Sequence, residues 1–147
     1  MTQEEFIEVL DKKGYSYKIE GDKIVVTEEF HVHLRATSLP SGVVFKNEGY
    51  IHLYALTSLP PDVVFKNEGG VNLYALTSIP PDVEFRNKGD VDLRALTSLP
   101  PGVEFSNEWS VRLDALIGGW FFEWKGNIEG IKKGRLLNLM IKRGMFI

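Results

Sequence analysis

Several side chains in this sequence are of types that do chemistry, and the spacing of each set is nearly the same. Glu84 and Glu104 are twenty positions apart, and so are Asp62 and Asp82. Two carboxylates held side by side can divide acid and base roles in hydrolysis. His33 and His52 are nineteen apart, and neighbouring imidazoles can share a metal ion, although a typical zinc site takes three or four ligands. Tyr54 and Tyr74, flanked by Arg35 and Arg94, bring together two of the side chains most enriched at binding hot spots. There is no phosphate-cradling Gly loop and no nucleophile elbow. With no cysteine in the chain, disulfides, thiolate nucleophiles and Cys-ligated metal centres are excluded.

The shared spacing has one source. From Val32 to Leu116 a single phrase is written about four and a half times, with Phe45, Phe65, Phe85 and Phe105 each twenty positions apart, and likewise Pro40, Pro60, Pro80 and Pro100. A fixed period of this size means stacked units. Repetition generates carboxylate pairs on its own, so their presence is weak evidence for an enzyme. Asp92 lies two units beyond His52, too far to complete a metal set. We therefore expect no catalytic residue, no metal and no cofactor.

One copy, Val71 to Asp90, contains two stretches of alternation: Val71 and Leu73 against Asn72 and Tyr74, then Val83 and Phe85 against Glu84 and Arg86. Period-two alternation sends the apolar set to one face of a strand and the polar set to the other. Ile79-Pro80-Pro81 between them cannot be helix interior. Asn87-Lys88-Gly89 supplies a second corner, read as a place where Gly tolerates positive φ. The expected fold is mainly β: a short parallel β-solenoid whose strands pair with their equivalents one coil away, about 4.8 Å apart. Asn47, Asn67, Asn87 and Asn107 share the parity of the inward Phe and are expected to stack as an amide ladder, each bonding to the next coil. The first copy runs nineteen residues, lacking a Leu after Ala36.

Residues 1–31 read as an N-terminal cap, 32–117 as the solenoid and 118–147 as a C-terminal cap of one single domain. Thr2-Gln3-Glu4-Glu5 is a capping box opening a helix over Gln3 to Lys13, stopped by Gly14. Alternation from Tyr15 to Ile19 and from Lys23 to Thr27, broken at Gly21-Asp22, predicts a β-hairpin. Trp120, Phe121, Phe122 and Trp124 form an aromatic cluster, and Lys132 to Arg143 reads as a helix. The net charge of −3 hides a gradient. Residues 1–31 hold four Lys against eight carboxylates, whereas 118–147 hold six basic against two acidic side chains. Lys132, Lys133, Arg135, Lys142 and Arg143 are thus candidates for contact with an acidic partner. An acidic chain argues against nucleic acid. No secretory signal and no bilayer-length apolar run is recognisable, so the expectation is a cytoplasmic protein without membrane contact.

Leu56-Thr-Ser-Leu-Pro-Pro61, repeated at 96–101, resembles the loop of short bacterial leucine-rich repeats. Those repeats have a single strand ending in Leu-x-x-Asn. Here Asn follows Phe by two and a second Val-x-Leu strand is present, so the resemblance is to a leucine-rich-repeat-like solenoid. The Val-x-Phe-x-Asn-x-Gly pattern, with Leu-Thr-Ser-Leu-Pro and the tail 135–141, is similar to small repeat proteins of phages and their bacterial hosts. That resemblance implies a phage-encoded protein working in the host cytosol as an inhibitor of a host defence factor.

Outward positions of a solenoid line up in columns, and repeat proteins bind through such faces. One column is His33, His52, Asn72, Asp92 and Arg112; its neighbour is Arg35, Tyr54, Tyr74, Arg94 and Asp114. His31 is out of register with the other two histidines. A second face carries Val44, Val64, Glu84 and Glu104 beside Lys46, Lys66, Arg86 and Ser106. The patch expected to bind a protein partner is Arg35, His52, Tyr54, Tyr74 and Arg94. The alternatives are a self-associating assembly protein, and a carbohydrate-binding solenoid with sugar rings stacked on Tyr. Coils this short are expected to offer no groove.

Overall fold

The structure is a computed structural model and describes residues 1–100 and 102–115. The expected C-terminal aromatic cluster and helix, with Lys132, Lys133, Arg135, Lys142 and Arg143, lie outside the described residues.

Helix α1 (Gln3–Lys13) starts where the capping box places it. The Thr2 hydroxyl accepts from the Glu5 N–H at 3.2 Å, and the Glu5 carboxylate accepts from the Thr2 N–H at 2.7 Å. Gly14, at φ 70°, closes the helix by donating its N–H to the Asp11 carbonyl. Phe6 and Leu10, four apart, bury one face against the core. Strands β1 (Tyr17–Glu20) and β2 (Lys23–Val26) follow as an antiparallel hairpin about Gly21.

The hairpin does more than cap. Strand β2 pairs in parallel with β4 (Val43–Phe45), placing Val26 against Phe45 and Ile24 against Val43. The hairpin, with β1 at the edge, therefore opens a six-stranded sheet that continues from β4 through β6 (Val64–Phe65), β8 (Glu84–Phe85) and β10 (Glu104–Phe105). The opposite sheet consists of β3 (Val32–His33), β5 (Ile51–His52), β7 (Val71–Asn72), β9 (Val91–Asp92) and β11 (Val111–Arg112), again parallel and in register. The two sheets face each other as the walls of the expected β-solenoid. The missing Leu is absorbed between His33 and Val44, because Val32 pairs Ile51 while Val44 already pairs Val64 at the regular interval.

Alternation over four residues yields only two-residue strands in the regular coils. After Leu53, Leu73 and Leu93 the chain turns at once, with the N–H of Leu56, Leu76 and Leu96 bonded back to those carbonyls. All six of these leucines are fully buried. Between the sheets, Phe45, Phe65, Phe85 and Phe105 stack face to face, their centroids 5.2–5.4 Å apart. In-register parallel stacking makes identical residues neighbours, so one inward choice per position fills the core in every coil.

The two corners differ from expectation in an instructive way. Positive φ occurs at the Pro corner, in Gly42, Asp62, Asp82 and Gly102, and not at Gly49, Gly69 or Gly89. Those three glycines serve close approach instead. A Cβ on Gly69 would lie 2.6 Å from the Gly49 carbonyl carbon, and one on Gly49 equally close to Phe30.

Beside that corner the four asparagines are buried and stacked. Asn67 Nδ2 donates to the Gly69 carbonyl at 2.8 Å and to Gly49 of the preceding coil at 3.2 Å; Asn87 repeats this with Gly89 and Gly69. The ladder thus runs through main-chain carbonyls and toward the preceding coil, not the next one, because the glycine corner brings those carbonyls within reach.

Candidate binding face

The outward face of the β3–β11 sheet carries the expected columns. Strand register places His33 beside His52, then Asn72, Asp92 and Arg112. Two residues later along each rung come Arg35, Tyr54, Tyr74, Arg94 and Asp114.

Four of the five residues expected to bind a partner form one chain of contacts. The Tyr54 and Tyr74 rings stack at 5.2 Å, and the Arg94 guanidinium lies 5.7 Å above Tyr74. Asp92 holds Arg94 from below through an ion pair. The Tyr54 hydroxyl and His52 Nδ1 share a hydrogen bond of 2.6 Å. Arg35 heads the same column and is exposed, but makes no ion pair or ring contact among the described residues.

His33 and His52 stack nearly parallel, centroids 4.3 Å apart. His31 joins them, which sequence register did not reveal. Its column is His31, Tyr50, Gly70, Asp90 and Ser110, one step across the face. Yet its ring reaches within 6.2 Å of both other imidazoles and 5.5 Å of Tyr50. The Tyr50 N–H donates to His31 Nδ1 at 2.8 Å, fixing the ring proton of the neutral form on Nε2. A useful hint was available in the sequence: a residue immediately before the first strand, next to an aromatic on the following coil. Partial burial, then the two neighbouring imidazoles, hold the His52 pKa below its ordinary value. Among the described residues no three His, Cys, Asp or Glu are placed to hold a metal ion.

The open edge of β3 is covered. The Tyr15 hydroxyl accepts from the His33 N–H at 3.0 Å and lies 3.4 Å from the His33 carbonyl. An exposed edge strand otherwise invites pairing with another chain. The face also has relief: Tyr50, His52, Asn72, Asp90, Asp92 and Arg112 border a shallow depression of about 220 Å³ floored by Gly70 and Val71. Tyr50 leans into the space that Gly70 leaves, since a Cβ there would meet its ring at 2.6 Å.

The second face departs from expectation. Val44, in register with Val64, is only 6% exposed. Glu84, half of one carboxylate pair, is bound by Arg86. A wider depression of about 530 Å³ lies between Pro61 and Pro80 on one side and Lys66 and Arg86 on the other. Two shallow depressions thus exist where none was expected. The first opens at Gly70, which has no side chain where its column carries Tyr50 and Asp90; the second is lined by Pro61, Pro80 and Pro81.

No family model, curated protein or solved structure matches the chain. Among the described residues, no helix is long and apolar enough to cross a membrane.

Proposed function

We propose that this chain acts by binding a protein partner through the outward β3–β11 face, with Tyr54 and Tyr74 at the centre and no chemistry of its own. The observation that carries the reading is the continuous strip from His52 through Tyr54 and Tyr74 to Arg94, standing on a scaffold whose inward residues barely change. Rigid rings on a sheet lose little side-chain entropy on binding, and Tyr and Arg are overrepresented where binding energy concentrates. Tyr54 and Tyr74 are 36% and 40% exposed, enough to give up area to a partner.

The resemblance to phage repeat proteins extends this reading to inhibition of a host factor in the host cytosol. Affinity capture from a bacterial host lysate, wild type against Tyr54→Ala/Tyr74→Ala, tests it. The double variant is expected to lose the captured protein; undiminished capture means another face binds.

A further inference from the structure

His31, His33 and His52 gather at the N-terminal end of the binding face, and Arg35 follows His33 by two residues in the same coil. Arg35 and His33 belong to the first rung of the face and His52 to the second, where strand register pairs it with His33. His33 and His52 stack at 4.3 Å, and His31 is 6.2 Å from each. None of the four has an ion pair among the described residues, whose ion pairs join Arg86 to Glu84, Lys88 to Glu68, Arg94 to Asp92 and Arg112 to Asp114. The groups around the imidazoles are uncharged when neutral: Tyr50 and Tyr54 flanking β5, Asn72 on β7, and the Tyr15 hydroxyl from the start of the hairpin. The nearest carboxylate along the column, Asp92, lies two rungs beyond His52 and is engaged by Arg94.

Resting on the reading of this face as a protein-binding surface, we infer that Arg35, His33 and His52 receive a single carboxylate side chain of the partner. Arg35 supplies a permanent charge with a planar, two-pronged donor set. The imidazoles add charge as the carboxylate draws protons onto them. A polyanion fits this spot poorly. Exposed Glu48 borders the face along the glycine corner and Asp90 lies further along it, so a run of phosphates would meet like charge. One Asp or Glu flanked by apolar residues fits, because its neighbours can lie along Tyr54 and Tyr74.

The sign of the pH dependence follows from linkage. A bound carboxylate favours protonated imidazole, so binding takes up protons and affinity rises as pH falls. One histidine raised by one unit on binding gives about a tenfold tightening across its titration range.

The test is an NMR titration of the full wild-type chain with the blocked peptide acetyl-Leu-Glu-Leu-amide, at pH 7.5 and pH 5.5. Acetyl-Leu-Gln-Leu-amide serves as control. We expect shifts centred on His33 and His52 and a Kd about tenfold lower at pH 5.5 for the Glu peptide alone. Equal tightening with the Gln peptide, weakening on acidification, stronger binding of a twelve-base-pair DNA duplex, or no shift at these rings would overturn the inference. Arg35→Gln, at an exposed residue with no ion pair among the described residues, should weaken the Glu peptide at least fivefold; an unchanged Kd also overturns it. Lysate capture separates the two levels. Capture lost in Tyr54→Ala/Tyr74→Ala but kept in Arg35→Gln/His33→Gln removes the carboxylate site and leaves the face. Capture kept in both removes the face itself.

Discussion

Gly69 lies so close against Gly49 of the preceding coil that a methyl group on it would sit 2.6 Å from a main-chain carbonyl carbon. The approach lets the Asn67 amide bridge both coils, joining the carbonyls of Gly69 and Gly49. Backbone cannot yield here as a flexible side chain would, so relief requires the coils to separate. Gly69→Ala is expected to destabilise the chain by about 2–4 kcal/mol, within the range seen for overpacking and lost buried hydrogen bonds. Urea denaturation followed by circular dichroism would show it as a lower midpoint at similar slope.

The Pro corner predicts the opposite response. Asp62 and Asp82 hold φ near 64° and 62°, while glycine occupies the equivalent Gly42 and Gly102. A side chain in the left-handed region costs about 1–2 kcal/mol, somewhat less for Asp. Asp62→Gly should therefore be neutral or up to about 1 kcal/mol stabilising, the gain limited by the added freedom of the unfolded chain. Asp62→Val should lose about 1–2 kcal/mol or more, and thermal melts of the two variants would separate them.

These corners mark how far sequence reasoning reaches. The Phe period and Val-x-Leu alternation fixed the coil, the inward set and the outward columns, because register in a stacked array follows from identity of neighbours. Thr2, Glu5 and Gly14 located α1 through local hydrogen-bond chemistry alone. The role of the corner glycines is not legible in the sequence, because close approach between coils is a tertiary property and φ at a single residue is not written in its type. His31 was missed for the same reason: its ring crosses columns. The burial of Val44 is likewise not legible from parity, which assigns a side of the strand and not its exposure.

The phenylalanine column should behave cooperatively. Phe65 stacks on Phe45 at 5.4 Å and on Phe85 at 5.2 Å with rings 3° from parallel, and it is fully buried. Phe65→Ala removes both contacts and leaves a cavity in mid-solenoid, costing about 3–5 kcal/mol. Phe105, at the described end of the stack, touches one ring among the described residues and is 5% exposed. Phe105→Ala should therefore cost less than Phe65→Ala, and an equal loss would contradict the stack as a source of stability. Paired chemical denaturation gives the comparison.

The asparagine ladder depends on a donor, and this separates it from a merely well-packed corner. Asn67 is 1% exposed, and its Nδ2 is the atom that reaches the carbonyls of Gly69, Gly49 and Gly70. Asn67→Asp keeps the shape but replaces that donor with an acceptor and buries an acid. Losing a donor shared among these carbonyls costs about 1–3 kcal/mol, and the buried acid adds to it. The loss should lessen as pH falls, since a protonated carboxyl regains one donor. A loss independent of pH between 7 and 4, relative to wild type, would assign the asparagine to packing alone.

His52 gives the stability of the wild-type chain its own pH dependence. Burial, with His33 and His31 nearby, lowers its folded pKa below the unfolded value of 6.5. The unfolded chain then binds more protons between the two values, so stability rises with pH across that interval. Read downward, the full contribution is present above about pH 6.5. It is lost as pH falls through 6.5 toward the folded pKa. His52→Gln keeps a polar side chain at that position and removes the titration. Denaturation midpoints measured from pH 8 to 5 should fall more steeply for wild type than for His52→Gln. Parallel slopes would mean that the imidazole cluster does not couple to folding.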